Sequence, residues 1–273
     1  MFGAVIGDII GSPYIDKKVE ASDFTLISEE SKITEITVMT LAVAEAIMHA
    51  MPTQGIICEE GIFQNNLIFW MKKFGRKIKN IRYGRKFYAW LHAKKSFPYE
   101  SLSSGAALRV SPIAFAFDNI MDVERFAELA ARVTTKTDES IKIARVMAGM
   151  IFLARMKRDK HEIKNYFREK TGINFFATVE ELGSKFNFLS IEGIRATCSD
   201  LITAALASFL ANENFEDSVH IAISLGGETA VMASIAGALS EAYSETKILT
   251  EVLAFEKLHK RLQFTVEKWE QWK

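Results

Sequence analysis

The sequence predicts an all-α protein, a compact multi-helix orthogonal bundle. Apolar residues recur at three-to-four spacing along most of the chain, which places them on one face of an α-helix. Strict two-residue alternation, the mark of half-buried strands, is nearly absent. With only four prolines and no Ser/Gly-rich linker, little breaks the helical pattern. Ten or more helices joined by short loops are expected, packed in layers within a single domain spanning residues 1–273.

The stripes can be followed in order. Val38, Leu41, Ala42, Glu45 and Met48 mark one helix, with its one charge near the edge of the stripe. Phe126, Leu129, Ala130 and Val133 mark another. Ile141, Ala144, Met147, Ala148, Ile151 and Phe152 form a long apolar stripe. Leu201, Ala204, Ala205 and Phe209 repeat the period, as do Val231, Ser234, Ile235, Ala238 and Leu239. Small residues crowd the last two stripes, which allows helix axes to approach closely.

Bulk composition narrows the function classes. The chain has 273 residues, 49% hydrophobic and 25% charged, enough for a large buried core. Lys plus Arg equals Asp plus Glu at 34 each, so the overall balance gives no electrostatic case for nucleic acid or an anionic membrane surface. The N-terminal MFGAVIGDIIGSPY lacks a basic flank and is interrupted by Asp8, unlike a signal peptide. No stretch approaches the roughly 18 uninterrupted apolar residues of a membrane helix. Cys58 and Cys198 are far apart, which argues against a disulfide framework and fits a reducing, cytoplasmic location. The five histidines are scattered without zinc-type spacing, and no Gly-x-Ser-x-Gly elbow is present.

Four short segments stand out. In Gly3-Ala4-Val5-Ile6-Gly7-Asp8-Ile9-Ile10-Gly11-Ser12 glycine recurs every four residues, but no strand precedes it and no Lys follows. It fails the phosphate-loop and dinucleotide patterns and reads as close helix packing around an inward Asp8. Thr34-Glu35-Ile36-Thr37 precedes a strong helix, with Thr34 as N-cap and Glu35 at the positive end of the dipole. Ser101 to Pro112 feeds small residues into a helix-like stretch, where exposed N–H groups can meet an anion and Arg109 can pair with a carboxylate; a capped helix start explains it as well. In Ser224-Leu225-Gly226-Gly227-Glu228-Thr229 a Gly-Gly break ends one helix and Glu228-Thr229 open the next, either as plain punctuation or as a ligand-holding break.

Together and in this order, the segments resemble the ADP-ribosylglycohydrolase family over about residues 2–265. Gly3 to Tyr14 looks like the family's opening Gly-Ala-x-x-Gly-Asp-x-x-Gly-Ser. Val38 to Ala42 looks like the run after its Thr-Asp-Asp-Thr. Tyr83-Gly84 with Phe87 and Trp90 resembles the segment before its substrate loop, Arg109-Val110-Ser111-Pro112 the end of that loop, and Ile223 to Gly227 the approach to its last metal segment.

The resemblance implies a helical bundle of the ADP-ribosylglycohydrolase type. In that family two Mg²⁺ ions at the centre orient ADP-ribose for hydrolysis of a glycosidic bond. By the same resemblance, Gly84, Ser103, Ser104, Gly105, Ala106 and Arg109 are the substrate-binding candidates. Glu35 and Glu228 are the catalytic candidates, and Thr34, Glu35, Thr37 and Glu228 a residual metal set. This chain departs from the pattern at the ligands. Ile15 stands at the N-terminal Glu, with Asp16 beside it. Glu35 and Ile36 stand at the Asp pair, Glu228 and Ala230 at the carboxylates of the last motif, and Val231 at its closing Thr. The substrate loop reads Ser103-Ser104-Gly105-Ala106, and a His-containing segment of bacterial members appears as Thr134-Thr135-Lys136-Thr137.

Mg²⁺ takes hard oxygen ligands at about 2.0–2.1 Å, so Ile, Ile and Ala at three ligand positions supply nothing, and each added methylene of Glu displaces the oxygen beyond what a metal tolerates. The expectation is a divergent member without the dinuclear site, inactive or weakly active. It would carry no metal or a single Mg²⁺ and bind ADP-ribose-like ligands, an ADP-ribosylated protein or another partner, without nucleic acid or membrane. The alternative is an active hydrolase that removes ADP-ribose from modified protein through a reduced single-metal site, with Glu35 or Glu228 activating a water. A purely structural role, as in a crystallin-like branch that resembles the family, is the third.

Overall fold

The computed structural model describes residues 1–17, 25–51, 59–173, 178–191, 196–244 and 250–272. Cys58 lies outside these, and Cys198 is half-buried at the start of α11. The described residues are mostly helical. After α1 (Phe2–Gly11) and a 3₁₀ turn (Ser12–Tyr14) come α2 (Glu35–Ala50), α3 (Glu60–Lys77), α4 (Arg85–His92) and α5 (Gly105–Leu108). Then follow α6 (Ser111–Ala116), α7 (Ile120–Arg132), α8 (Asp138–Arg155), α9 (Lys160–Thr171) and α10 (Val179–Ile191). The series ends with α11 (Cys198–Ala211), α12 (Phe215–Ser224), α13 (Thr229–Tyr243), α14 (Glu251–Glu256) and α15 (Lys260–Trp272). Among the described residues the only β pairing is an isolated bridge between Tyr99 and Thr135, and no helix is long and apolar enough to cross a membrane. Contacts divide the chain into two compact units: residues 1–33 with 153–257, and residues 34–152 with 258–273.

The first unit is organised on α13, which packs against α1, α11 and α12. Small residues decide how closely. A Cβ on Gly7 would stand 2.1 Å from the Ala233 carbonyl oxygen, and one on Gly3 2.4 Å from that of Gly237. The four-residue glycine spacing therefore lays a bare backbone strip of α1 against α13. The predicted stripes Leu201-Ala204-Ala205-Phe209 and Val231-Ser234-Ile235-Ala238-Leu239 are buried here, and Asp8 is fully buried among them in the same unit. Several starts and stops are fixed by short polar side chains: Thr197 and Asp200 form a reciprocal capping box on α11, Asn214 caps α12, and Gly172 ends α9 in the left-handed conformation.

The second unit is organised on α2, which packs against α3, α6 and α15. Its stripe carries one surprise. Glu45, expected near the edge, is only 2% exposed. Its carboxylate accepts from the Thr265 hydroxyl at 2.8 Å and from Lys268 Nζ at 2.9 Å, both on α15. A buried charge is tolerated because a long-range helix brings it a cation and a donor, and sequence periodicity cannot show that helix arriving. The Trp272 indole N–H adds a bond to the Met51 carbonyl at 2.8 Å. Phe63, Phe117 and Phe126 close the apolar layer between α3, α6 and α7.

Candidate functional site

The site residues read from the sequence fall into two sets. Glu228 is in the first unit, and Thr34, Glu35, Thr37, Gly84, Ser103 to Ala106 and Arg109 are in the second.

In the first unit, the end of α1 and the break between α12 and α13 are brought together. Gly226 and Gly227 both adopt positive φ, 79° and 72°, so the chain reverses where a side chain would be strained. The Asp16 N–H donates to the Gly227 carbonyl at 2.9 Å, and Asp16 itself has φ 59°. The Thr229 hydroxyl donates to the Gly11 carbonyl at 2.8 Å. A Cβ on Gly11 would meet Ala230 Cα at 2.7 Å, so Ala230, 3% exposed, is pressed on the helix it faces. Glu228 occupies the N-cap position of α13 and makes no side-chain cap bond there. Ile15 is half-buried and Asp16 exposed, both beside this break.

In the second unit, α2 begins as the sequence suggests. The Thr34 hydroxyl accepts from the Ile36 N–H at 3.1 Å, and Glu35 is the exposed acid of the first turn. Ile36 (5% exposed) and Thr37 turn into the core, and Thr40 one turn on donates to the Leu108 carbonyl at 3.3 Å. That bond ties the start of α2 to the short helix α5.

The loop before α5 is held from the other side. Tyr99 exchanges backbone bonds with Thr134 and Lys136, the Ser101 carbonyl accepts from Ser140 at 2.6 Å, and the Ser101 N–H donates to Thr137 at 2.9 Å. Ser103 bonds Ser101 at 2.9 Å, and Ser104 to Ala106 open α5. The Thr134 to Thr137 segment is thus the clamp on the Ser101–Ala106 loop.

Arg109 is 3% exposed and aims into the protein. It donates to the carbonyls of Gly105 (3.3 Å) and Ala130 (2.8 Å) and to the Thr134 hydroxyl (2.7 Å). Its Nε finds no acceptor, and no carboxylate pairs with it among the described residues. Burial therefore pulls its pKa down to about 10. The residue joins α5 to the end of α7 beneath the loop, where the sequence offered a ligand contact or a carboxylate partner.

In the sequence Tyr83 stands out only as part of the Tyr83-Gly84 motif. Its hydroxyl is shielded from solvent and has no hydrogen-bond partner among the described residues. Burial, and then the Glu35 carboxylate, push its pKa well above the ordinary phenol value. Tyr83 therefore stands in the field of Glu35 at the start of α2, a proximity that no local sequence signal carries. Gly84 is exposed and precedes α4 with open space around it.

Among the described residues, no three or more His, Cys, Asp and Glu side chains gather as a group able to hold a metal ion.

Comparison with known proteins adds three findings. An uncharacterized protein of Archaeoglobus fulgidus is 29% identical in an alignment of length 157 that covers 50% of this chain and 48% of that one. The chain thus spans about half the length of this curated relative. A solved structure described as an ADP-ribosylglycohydrolase-related protein complex superimposes with a TM-score of 0.66 over 99% of this chain and 95% of its own, at 16% identity, and so shares the fold. The ADP-ribosylglycohydrolase family profile matches residues 1–264. That match covers nearly the whole chain, and the chain belongs to the ADP-ribosylglycohydrolase family.

Proposed function

We propose that this chain is a divergent ADP-ribosylglycohydrolase-like protein that binds an ADP-ribose-like ligand, free or on a modified protein, without the dinuclear Mg²⁺ chemistry of its family. The observation that carries the reading is Ile36, 5% exposed between Glu35 and Thr37, where the family's resemblance puts an aspartate. A buried hydrocarbon offers a dication no ligand and removes water that would. Ala230 and Ile15 repeat the loss in the first unit, and the Thr229 hydroxyl there is spent on Gly11. This donor set does not fit a pair of Mg²⁺ ions.

What the chain retains suits binding. The Ser101–Ala106 loop is fixed by backbone and hydroxyl bonds, so little ordering remains when a ligand meets it. Glu35 is exposed in the first turn of α2 and, with Glu228, is one of the two carboxylates that would serve a reduced site in the active alternative.

The test is a thermal-shift measurement with ADP-ribose, with and without Mg²⁺, beside an assay for ADP-ribose release from modified protein. A shift that needs no metal, with no release, is expected. Release that a chelator abolishes, and that Glu228→Gln also abolishes, would establish the active single-metal enzyme instead. No shift under either condition would leave the structural role.

A further inference from the structure

The overall charge balance conceals a strong local asymmetry. Between Gly61 and Tyr99 the chain carries ten lysines and arginines and no acidic residue. The whole stretch lies in the second unit, in α3, α4 and the segments after each.

The fold draws these cations together. Arg76 near the end of α3 donates through Nε to the Leu91 carbonyl at 2.7 Å, and Lys72 one turn earlier donates to the Ala93 carbonyl at 2.9 Å. The end of α3 therefore abuts the end of α4, and the charges that follow each helix share one neighbourhood. The cations that open α4 are only one short helix away, about 12 Å for eight residues at 1.5 Å each. Crowding is felt within the group: the pKa of Lys72 is lowered, first by burial and then by Arg76.

Helix C-termini attract cations, and Arg76 and Lys72 serve that purpose. The rest exceed it. Among the described residues none of the ten pairs with a carboxylate, and the side chains of Lys77, Lys79, Arg82, Arg85 and Lys94 are exposed without any hydrogen bond. Uncompensated like charges in such density raise the local potential and favour a polyanion.

The apolar members of the surface narrow the partner. From Phe69 to Tyr99 the exposed large hydrophobic side chains are all aromatic: Phe69 (55%), Tyr88 (54%) and Phe97 (64%). Lys95 lies over the Phe97 ring at 5.4 Å, and Tyr88 stacks on His92 at 4.2 Å. Flat rings set among phosphate-binding cations are the elements that hold unpaired bases. We propose that the face formed by the end of α3, α4 and residues 93–98 binds single-stranded nucleic acid, with the free cations on phosphates and Tyr88 and Phe97 under bases.

Fluorescence anisotropy with a labelled oligo(U) of about 20 nucleotides tests this on the full chain, beside a duplex of equal length and phosphatidylserine vesicles. Binding to the single strand is expected at about 50 mM salt, weakening about 50-fold by about 200 mM if four phosphates are contacted. The variant Arg82→Glu/Lys94→Glu/Lys95→Glu should lose at least about tenfold in affinity, and Tyr88→Ala/Phe97→Ala about tenfold at fixed salt. All five positions are exposed, and an unchanged melting temperature will show that each variant is folded. The proposal is overturned by absence of binding at low salt, by equal or tighter binding to the duplex or the vesicles, or by folded variants that bind like the parent.

Discussion

The Thr229 hydroxyl donates to the Gly11 carbonyl oxygen at 2.8 Å, which pins the first residue of α13 on the last residue of α1. Both residues are buried, so the carbonyl has no water to turn to if the hydroxyl is removed. Thr229→Val, which keeps the shape, should lower stability by about 1–2 kcal/mol in urea unfolding, and Thr229→Ser should restore most of it. Equal stability of Val and Thr would show that the bond contributes nothing.

Two glycine substitutions should have opposite signs. At Gly7 a methyl group would fall 2.1 Å from a backbone oxygen of α13, and backbone cannot step aside locally. Gly7→Ala should therefore cost more than about 3 kcal/mol or prevent folding. At Gly61, in the first turn of α3, a methyl group meets nothing within 4 Å, and Gly61→Ala should stabilise by about 0.5–1 kcal/mol. Chemical denaturation of the pair reads both.

Glu45 offers a third measurement. Removing the carboxylate leaves the half-buried Lys268 ammonium on α15 without its counter-charge and the Thr265 hydroxyl with only the Arg261 carbonyl. Glu45→Ala should cost about 3 kcal/mol, while Glu45→Gln, which still accepts from Thr265, should cost less. A double-mutant cycle with Lys268→Met isolates the ion pair; a coupling near zero would mean that shape alone matters.

Tyr83 gives a pH dependence with a fixed sign. Burial, then Glu35, raise its pKa in the folded protein, so above pH 10 the folded state keeps a proton that the unfolded chain has released. Its contribution is present below the ordinary phenol pKa and is lost as pH rises beyond it. Tyr83→Phe should be neutral or slightly stabilising at pH 7, because the hydroxyl has no partner to lose. Its advantage over the parent should grow between about pH 10 and 11. A gap that stays constant with pH would contradict the assignment.

The sequence by itself determined the helical class, the apolar stripes and the order of the punctuating motifs. Each of these is a local property: a period of 3.6 residues, a threonine that caps its own helix at Thr34, two glycines that release the chain at Gly226 and Gly227. The four-residue glycine spacing of α1 also announced close packing before its partner was known, because only absent side chains permit such approach.

Tertiary structure decided everything that depends on a distant residue. Periodicity places Glu45 near an edge, yet it is buried, because Thr265 and Lys268 arrive on α15 from more than two hundred positions away. Arg109, for which the sequence offers a ligand or a carboxylate, holds the end of α7, where Ala130 and Thr134 present oxygens. Tyr83 gained its place beside Glu35, and Lys72 and Arg76 met the end of α4, only through packing between segments. Periodicity fixes which face of a helix is apolar; which polar groups meet across that face is set by packing between segments, and a single chain of letters does not contain those distances.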